Sequence, residues 1–436
     1  MTPAALTGAV AGTIAGRIGW LKMLRIGLFP VLALMIVFAL VWRNPWAAGI
    51  TAAVLGIFYT GVCLTSLNGL SVVQSPIDAP AALPAINGSA YGIGASLGIT
   101  IVAPYVGQGT ESVYFDCDTG IDDALTIAYL VAHRVNLVGI GTVCGNIDAD
   151  LAARNTLDLL DLLGAPEVPV AVGARDFTTA GFNGGAPEVH GANGVGGVRL
   201  PTSPRGPVEE SATDLLSRLA RQHPGRLRVL AVGPMTNLGT ALADDPELVG
   251  LVRDVTIMGG AAAAPGNVTA VAEANIISDP EAAAKVVSAA WDLTIVPLDV
   301  TMLQRIDSAQ ADRLRATGAA PLVALADMLE YYFDFYVGRM GERRAALHDP
   351  LAAAVMLDKV TLTSGPRVPV IVDDTHGPGR GQTIVDRRGC YRGYPAQDPQ
   401  DVRVALRIDD DFVNELTQTL LSAFSGVHQA GSVGVG

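Results

Sequence analysis

The stretch Val113-Tyr114-Phe115-Asp116-Cys117-Asp118-Thr119-Gly120-Ile121-Asp122-Asp123-Ala124 runs from three apolar residues into four aspartates within eight positions. A short apolar run, a glycine turn and then a helical pattern read as a strand feeding a helix. Four carboxylates this close repel one another and take up protons unless a bound cation supplies compensating charge. An all-oxygen ligand set favours Ca²⁺ or Mg²⁺ over zinc or copper. Capping of the helix N-terminus would explain one aspartate and leaves the others without a reason.

Outward from this stretch, short apolar strands alternate with helical patterns. Strands are expected at Val113–Phe115, Leu137–Val143, Val168–Val172, Leu227–Val232, Val255–Met258 and Leu293–Pro297, with helices at Asp122–Ala132, Ala149–Leu163, Asn237–Ala243 and Pro280–Ala289. The alternation predicts an α/β fold: a mostly parallel, Rossmann-like open sheet with helices on both faces and a working site at the carboxyl ends of the strands.

Residues 1–110 have a different texture. Of the 29 basic and 42 acidic residues, this segment holds only Arg17, Lys22, Arg25, Arg43 and Asp78, a net of +3, which leaves −16 on the remainder. Uncharged apolar runs predict membrane spans at about 26–42 and 47–67, with Trp20, Trp42 and Trp46 at interfacial positions. A Gly- and Ser-rich run at 86–106 reads equally as a third span or as a linker. The expected organisation is a membrane segment over 1–110 and a catalytic domain over 111–436. The basic cluster before the first run places the N-terminus in the cytoplasm, so the domain faces the cytoplasm with two spans and outside with three. Fragments at 16–26 (GRIGWLKMLRI) and 84–98 (PAINGSAYGIGASLG) resemble late helices of major facilitator superfamily transporters, which implies an anchor, since too few helices are present for a transport path.

The acidic remainder lacks the basic stripe that nucleic acid requires and suits a small ligand or a cation. The four cysteines, Cys63, Cys117, Cys144 and Cys390, form no CxxC pair and no disulfide framework.

Further candidates lie at strand ends or in loops that reach them: Asn146 in VCGN, Thr236 in GPMTN, Met258 before two glycines, Asn267 after Gly266, Glu273 and Asn275 in AEAN, and His348-Asp349-Pro350. Taken singly, the GPMTN segment is also an ordinary capped turn, and Asp349 also an N-cap. Tyr332 and Tyr336, four apart, share one helical face, as core residues often do.

With the motif D-x-D-x-G-x-D-D matched by Asp116, Asp118, Gly120, Asp122 and Asp123, and the later motifs in order, the chain resembles the inosine-uridine-preferring nucleoside hydrolase family over about 112–424. The resemblance implies Ca²⁺-dependent hydrolysis of the N-glycosidic bond of a ribonucleoside. It makes Asp118 a calcium ligand and the base for a metal-bound water, Asp123 and Asp349 further ligands, and the Thr236 carbonyl another. Asp122, Asn146, Met258, Asn267, Glu273 and Asn275 are implied to surround the ribose, and His190, Tyr332, Tyr336 and His348 the nucleobase, with His348 protonating the leaving group. Ala274 departs from the family, which often has an aromatic residue there. Family members commonly form homo-oligomers. A membrane-anchored nucleoside sensor that binds without turnover stays open as an alternative, and a transporter as a third class.

Overall fold

The computed structural model describes residues 111–391, 402–409 and 411–426. The spans expected at 26–42, 47–67 and 86–106 lie outside the described residues. Among the described residues no helix is long and apolar enough to cross a membrane.

The central sheet has eight strands: β1 (Ser112–Cys117), β2 (Asn136–Thr142), β3 (Val170–Val172), β4 (Leu227–Ala231), β5 (Val252–Met258), β6 (Leu293–Val296), β7 (Arg367–Val368) and β8 (Val402–Val404). Their spatial order is β7-β8-β6-β5-β4-β1-β2-β3. All pairings are parallel except β7 with β8 at one edge. Strand order reverses between β1 and β4, and such a switch point opens a crevice at the carboxyl ends of the strands.

The main helices are α1 (Ile121–Ala132), α2 (Ala149–Leu162), α3 (Ala212–Gln222), α4 (Thr236–Asp244), α5 (Pro280–Ser288), α6 (Ala320–Met340), α7 (His348–Met356) and α8 (Phe412–Phe424). Side-chain starts are explicit. Asp148, Ser211, Asp279 and Asp411 each accept a backbone N–H at the head of α2, α3, α5 and α8.

The period-two alternation of β1 divides the interior. Val113, Phe115 and Cys117 pack into a core shared with α1, α6, α7 and α8, while Tyr114 packs with α3, α4 and α5 on the other face. A sheet buried on both faces explains why its strands read as near-continuous apolar runs in the sequence. Three two-stranded ribbons accompany the sheet: Val370–Val372 with Thr383–Val385, Leu362–Ser364 with Arg407–Ile408, and Arg305–Asp307 with Arg344–Ala346.

Candidate active site

The chain leaves β1 at Cys117 and enters α1 at Ile121, so Asp118 lies in the turn and Asp122 and Asp123 in the first helical turn. Asp123 is held by the backbone: Gly120 N–H donates to Oδ2 at 2.7 Å and Asp118 N–H to Oδ1 at 3.2 Å. The loop after β2 adds the Asn146 side-chain amide, 3.2 Å from Asp123 Oδ2, and the Asn146 N–H, 2.6 Å from Asp118 Oδ2. Asp349 arrives from the first turn of α7.

Carboxylate oxygens of Asp122, Asp123 and Asp349 lie within 4.8 Å of one another, and all three residues are buried, as is Asp118. Asp118 Oδ1 and Asp122 Oδ1 are buried with no hydrogen-bond partner. Burial, then the charge of Asp123, pushes Asp122 up to about 8. Burial takes Asp123 to about 6, against the opposing N–H groups of Gly120 and Asp118. Asp118 and Asp349 are raised well above the usual carboxylate range, first by burial and then by their carboxylate neighbours. Orphaned, mutually repelling oxygens in a buried site are the condition a hard divalent cation relieves, so the residues fit such an ion.

Asp116 does not join this group. It lies inside β1 on the Tyr114 face, whereas the strand ends at Cys117 and the turn carries Asp118 elsewhere; there Tyr114 donates its hydroxyl to Oδ2 at 2.9 Å and Asn237 its side-chain amide at 3.0 Å. Buried there, its pKa rises to about 7 despite those donors.

A cavity of about 550 Å³ opens beside the cluster. Its lining takes in Asp122, Asn146, His190, Met258, Asn267, Glu273, Asn275, Tyr332, Tyr336, His348 and Asp349, so most of the expected residues converge. Asp118 and Asp123 adjoin it through Asn146. Thr236 is not part of the lining. It begins α4 and gives its hydroxyl to Asp279 Oδ2 at 2.7 Å.

Several sugar-side candidates are already partly engaged. The Glu273 carboxylate accepts N–H groups from Gly260 and Asn275 at 2.9 Å each and from Ile276 at 3.2 Å. Asn275 donates its amide to the carbonyls of Val232 at 2.6 Å and Met258 at 3.1 Å, which leaves its side-chain oxygen as an acceptor. Asn267 Oδ1 accepts the Ala274 N–H at 3.0 Å, leaving its NH₂ group to donate.

The remaining wall is aromatic. The Tyr332 hydroxyl donates to Asp122 Oδ2 at 3.3 Å, and the Tyr332 and Tyr336 rings meet edge to face at 5.2 Å. His190 Nδ1 accepts the Ile121 N–H at 3.1 Å, which puts the proton of the neutral ring on Nε2. Burial and then the neighbouring His348 lower His190 to about 3; burial lowers His348 to about 4. Both rings are therefore neutral near pH 7. His348 is clamped between Thr301 Oγ1, 2.8 Å from Nδ1, and the Tyr336 hydroxyl, 3.0 Å from Nε2.

Sequence reasoning missed Thr301, Phe335 and Arg339. Phe335 and Arg339 line the cavity three and seven positions after Tyr332 on α6, a helical spacing that could have identified them. Asp279 accepts bonds from Thr178 and Ala282 as well as Thr236, joining loops distant in sequence, and no local pattern announces that role.

Against known proteins, residues 113–415 match the family described as inosine-uridine preferring nucleoside hydrolase. The chain is 35% identical over 282 residues to uridine nucleosidase 1 of Arabidopsis thaliana, covering 64% of this chain and 82% of the relative. It is 33% identical over 309 residues to the inosine-uridine preferring nucleoside hydrolase of Crithidia fasciculata, covering 69% and 93%. Among solved structures, the purine-preferring ribonucleoside hydrolase from Gardnerella vaginalis superposes with a TM-score of 0.67 at 33% identity, over 72% of this chain and 99% of that one.

Proposed function

Because the chain belongs to the inosine-uridine preferring nucleoside hydrolase family and is a nucleoside hydrolase, we propose that it uses a calcium ion to split ribonucleosides into free base and ribose in the cavity beside Asp118. The observation that carries this reading is the buried carboxylate cluster, two of whose oxygens have no partner, at the edge of a cavity lined by amides and aromatic rings. Asp118, Asp123 and Asp349 would hold the ion, with the Thr236 carbonyl as the expected fourth donor. Asp122, whose carboxylate closes up to those of Asp123 and Asp349, would serve the ion or the ribose hydroxyls. When bound, calcium would offset the repulsion among the carboxylates and make water at the site more acidic.

The chain's own residues supply the rest. Asp118 takes the proton of the attacking water through its unpartnered oxygen. Asn146, Asn267, Glu273 and Asn275 orient the sugar, Met258 packs beside it, and the ordered donors and acceptors cost no reorganisation as charge develops at the anomeric carbon. Tyr332 and Tyr336 flank the base. His190 offers a fixed Nε2–H, and His348 passes a proton to the departing nitrogen. Neutral in the free enzyme, His348 must acquire or relay that proton when substrate is bound.

We also propose that the runs at 26–42 and 47–67 anchor the enzyme to a membrane, with the domain on the cytoplasmic side if these two alone span and outside if 86–106 spans as well, and that the domain self-associates. Release of ribose and base from inosine and uridine, measured on the full-length wild-type chain and its Asp118→Asn variant, tests the function. Release by wild type alone is expected. Nucleoside binding without release by either chain would overturn turnover in favour of a sensor.

A further inference from the structure

Leu298-Asp299-Val300-Thr301 forms a single helical turn after β6; Leu298 lines the cavity, and Asp299 and Thr301 sit behind it, each bonded to a segment that supplies part of its wall. Toward one part, Asp299 gathers three consecutive backbone donors: Ala262 N–H lies 2.8 Å from Oδ2, and Ala263 and Ala264 N–H lie 2.8 and 3.1 Å from Oδ1. The Leu298 N–H adds a bond to the Gly260 carbonyl at 2.9 Å. A run of four alanines, Ala261–Ala264, has no long side chain with which to anchor itself, and one carboxylate with three charge-assisted bonds does so instead.

That run leads straight into Pro265, Gly266 and Asn267, which line the cavity. Gly266 has no room for a side chain, because a Cβ there would meet the backbone of Ala272 at 2.3 Å. The loop is therefore fixed at its start by Asp299 and at its turn by its own backbone. Toward the other part of the wall, the fully buried Thr301 sets its hydroxyl 2.8 Å from Nδ1 of His348. A neutral imidazole donates from one nitrogen and accepts at the other, so the Thr301 contact at Nδ1 fixes the ring and bears on whether Nε2, which faces the Tyr336 hydroxyl, carries the proton.

We propose that Asp299 and Thr301 are positioning residues, Asp299 for the sugar-binding loop and Thr301 for the His348 ring, so that this one turn sets the spacing between the sugar end and the leaving-group end of the site. The proposal rests on the assignment of Asn267 and His348 given above. It places the control of two otherwise separate binding elements on four consecutive residues, none of which was among the sequence candidates.

The test uses the full-length chain. Asp299→Asn keeps the shape and one acceptor oxygen, and it should raise KM for inosine and uridine about tenfold with a much smaller change in kcat, the loss expected for weakened charge-assisted bonds. Amide exchange at Ala262–Ala264 should accelerate in the same variant. Thr301→Val should lower kcat about tenfold with little change in KM, and Thr301→Ser, which restores the hydroxyl, should recover it. Equal effects on kcat and KM in both variants, with Ser no better than Val, would reduce the turn to a packing element and overturn the proposal. Unaltered exchange at Ala262–Ala264 would overturn the Asp299 half by itself. A wild-type chain that releases no ribose would instead fault the hydrolase reading and the Thr301 half with it, while the exchange measurement still decides Asp299.

Discussion

At the scale of single residues, the site is a contest between burial and charge. Asp349 sits buried near four other carboxylates, Asp122, Asp123, Asp118 and Glu273, and its stable ionisation requires an opposing charge. Asp349→Asn should weaken calcium binding roughly tenfold to a hundredfold, measured calorimetrically, because one anionic ligand is lost while the side-chain volume is kept. Glu273 is different. Its oxygens are already committed to three backbone N–H groups, so Glu273→Gln should disturb the short Ala274–Ser278 helix that carries Asn275 and raise KM by about tenfold, with a lower melting temperature as the accompanying sign. The carboxylates were legible in the sequence because four aspartates in eight positions have no economical structural explanation. Asp116, in the same motif, was not separable from them by composition; it stays within β1 beside Tyr114 and Asn237, while the strand ends at Cys117 before Asp118.

At the scale of elements, the turn after β1 and the loop after β2 meet so closely that side chains are excluded. A Cβ on Gly145 would lie 2.1 Å from Asp118 Oδ2, so Gly145→Ala must displace either the carboxylate or the Asn146 loop. We expect kcat to fall at least about tenfold, since small misplacements of a catalytic group are costly. Unchanged kinetics would show that the loop relaxes freely. The elements themselves were well marked: the expected Ala149–Leu163 and Pro280–Ala289 helices appear as Ala149–Leu162 and Pro280–Ser288, each begun by an aspartate cap. The turn Leu298–Thr301 was not marked. A four-residue helix has too short a period to register, and its contacts to Ala262–Ala264 and His348 are set by the tertiary fold.

At the scale of the whole molecule, the switch point between β1 and β4 gathers carboxylates far apart in sequence, Asp118 to Asp123 and Asp349, into one buried site. Their pKa values stand above the ordinary 3.8, at about 6 for Asp123 and about 8 for Asp122. A carboxyl raised in the folded state contributes stability that is complete below its unfolded value and is lost as pH rises through the folded one. The chelated protein should therefore lose thermal stability between about pH 4 and pH 8, by about 5 °C or more in Tm, and calcium should reverse most of the loss near pH 8. A chelated protein with a flat Tm across that range would show that the carboxylates are relieved in some other way. The most direct measurement of the central claim is ribose release from inosine and uridine by the full-length chain after chelation and again after calcium is restored. Cation-dependent hydrolysis predicts turnover that disappears with chelation and returns with calcium, and undiminished turnover in the stripped protein would contradict it.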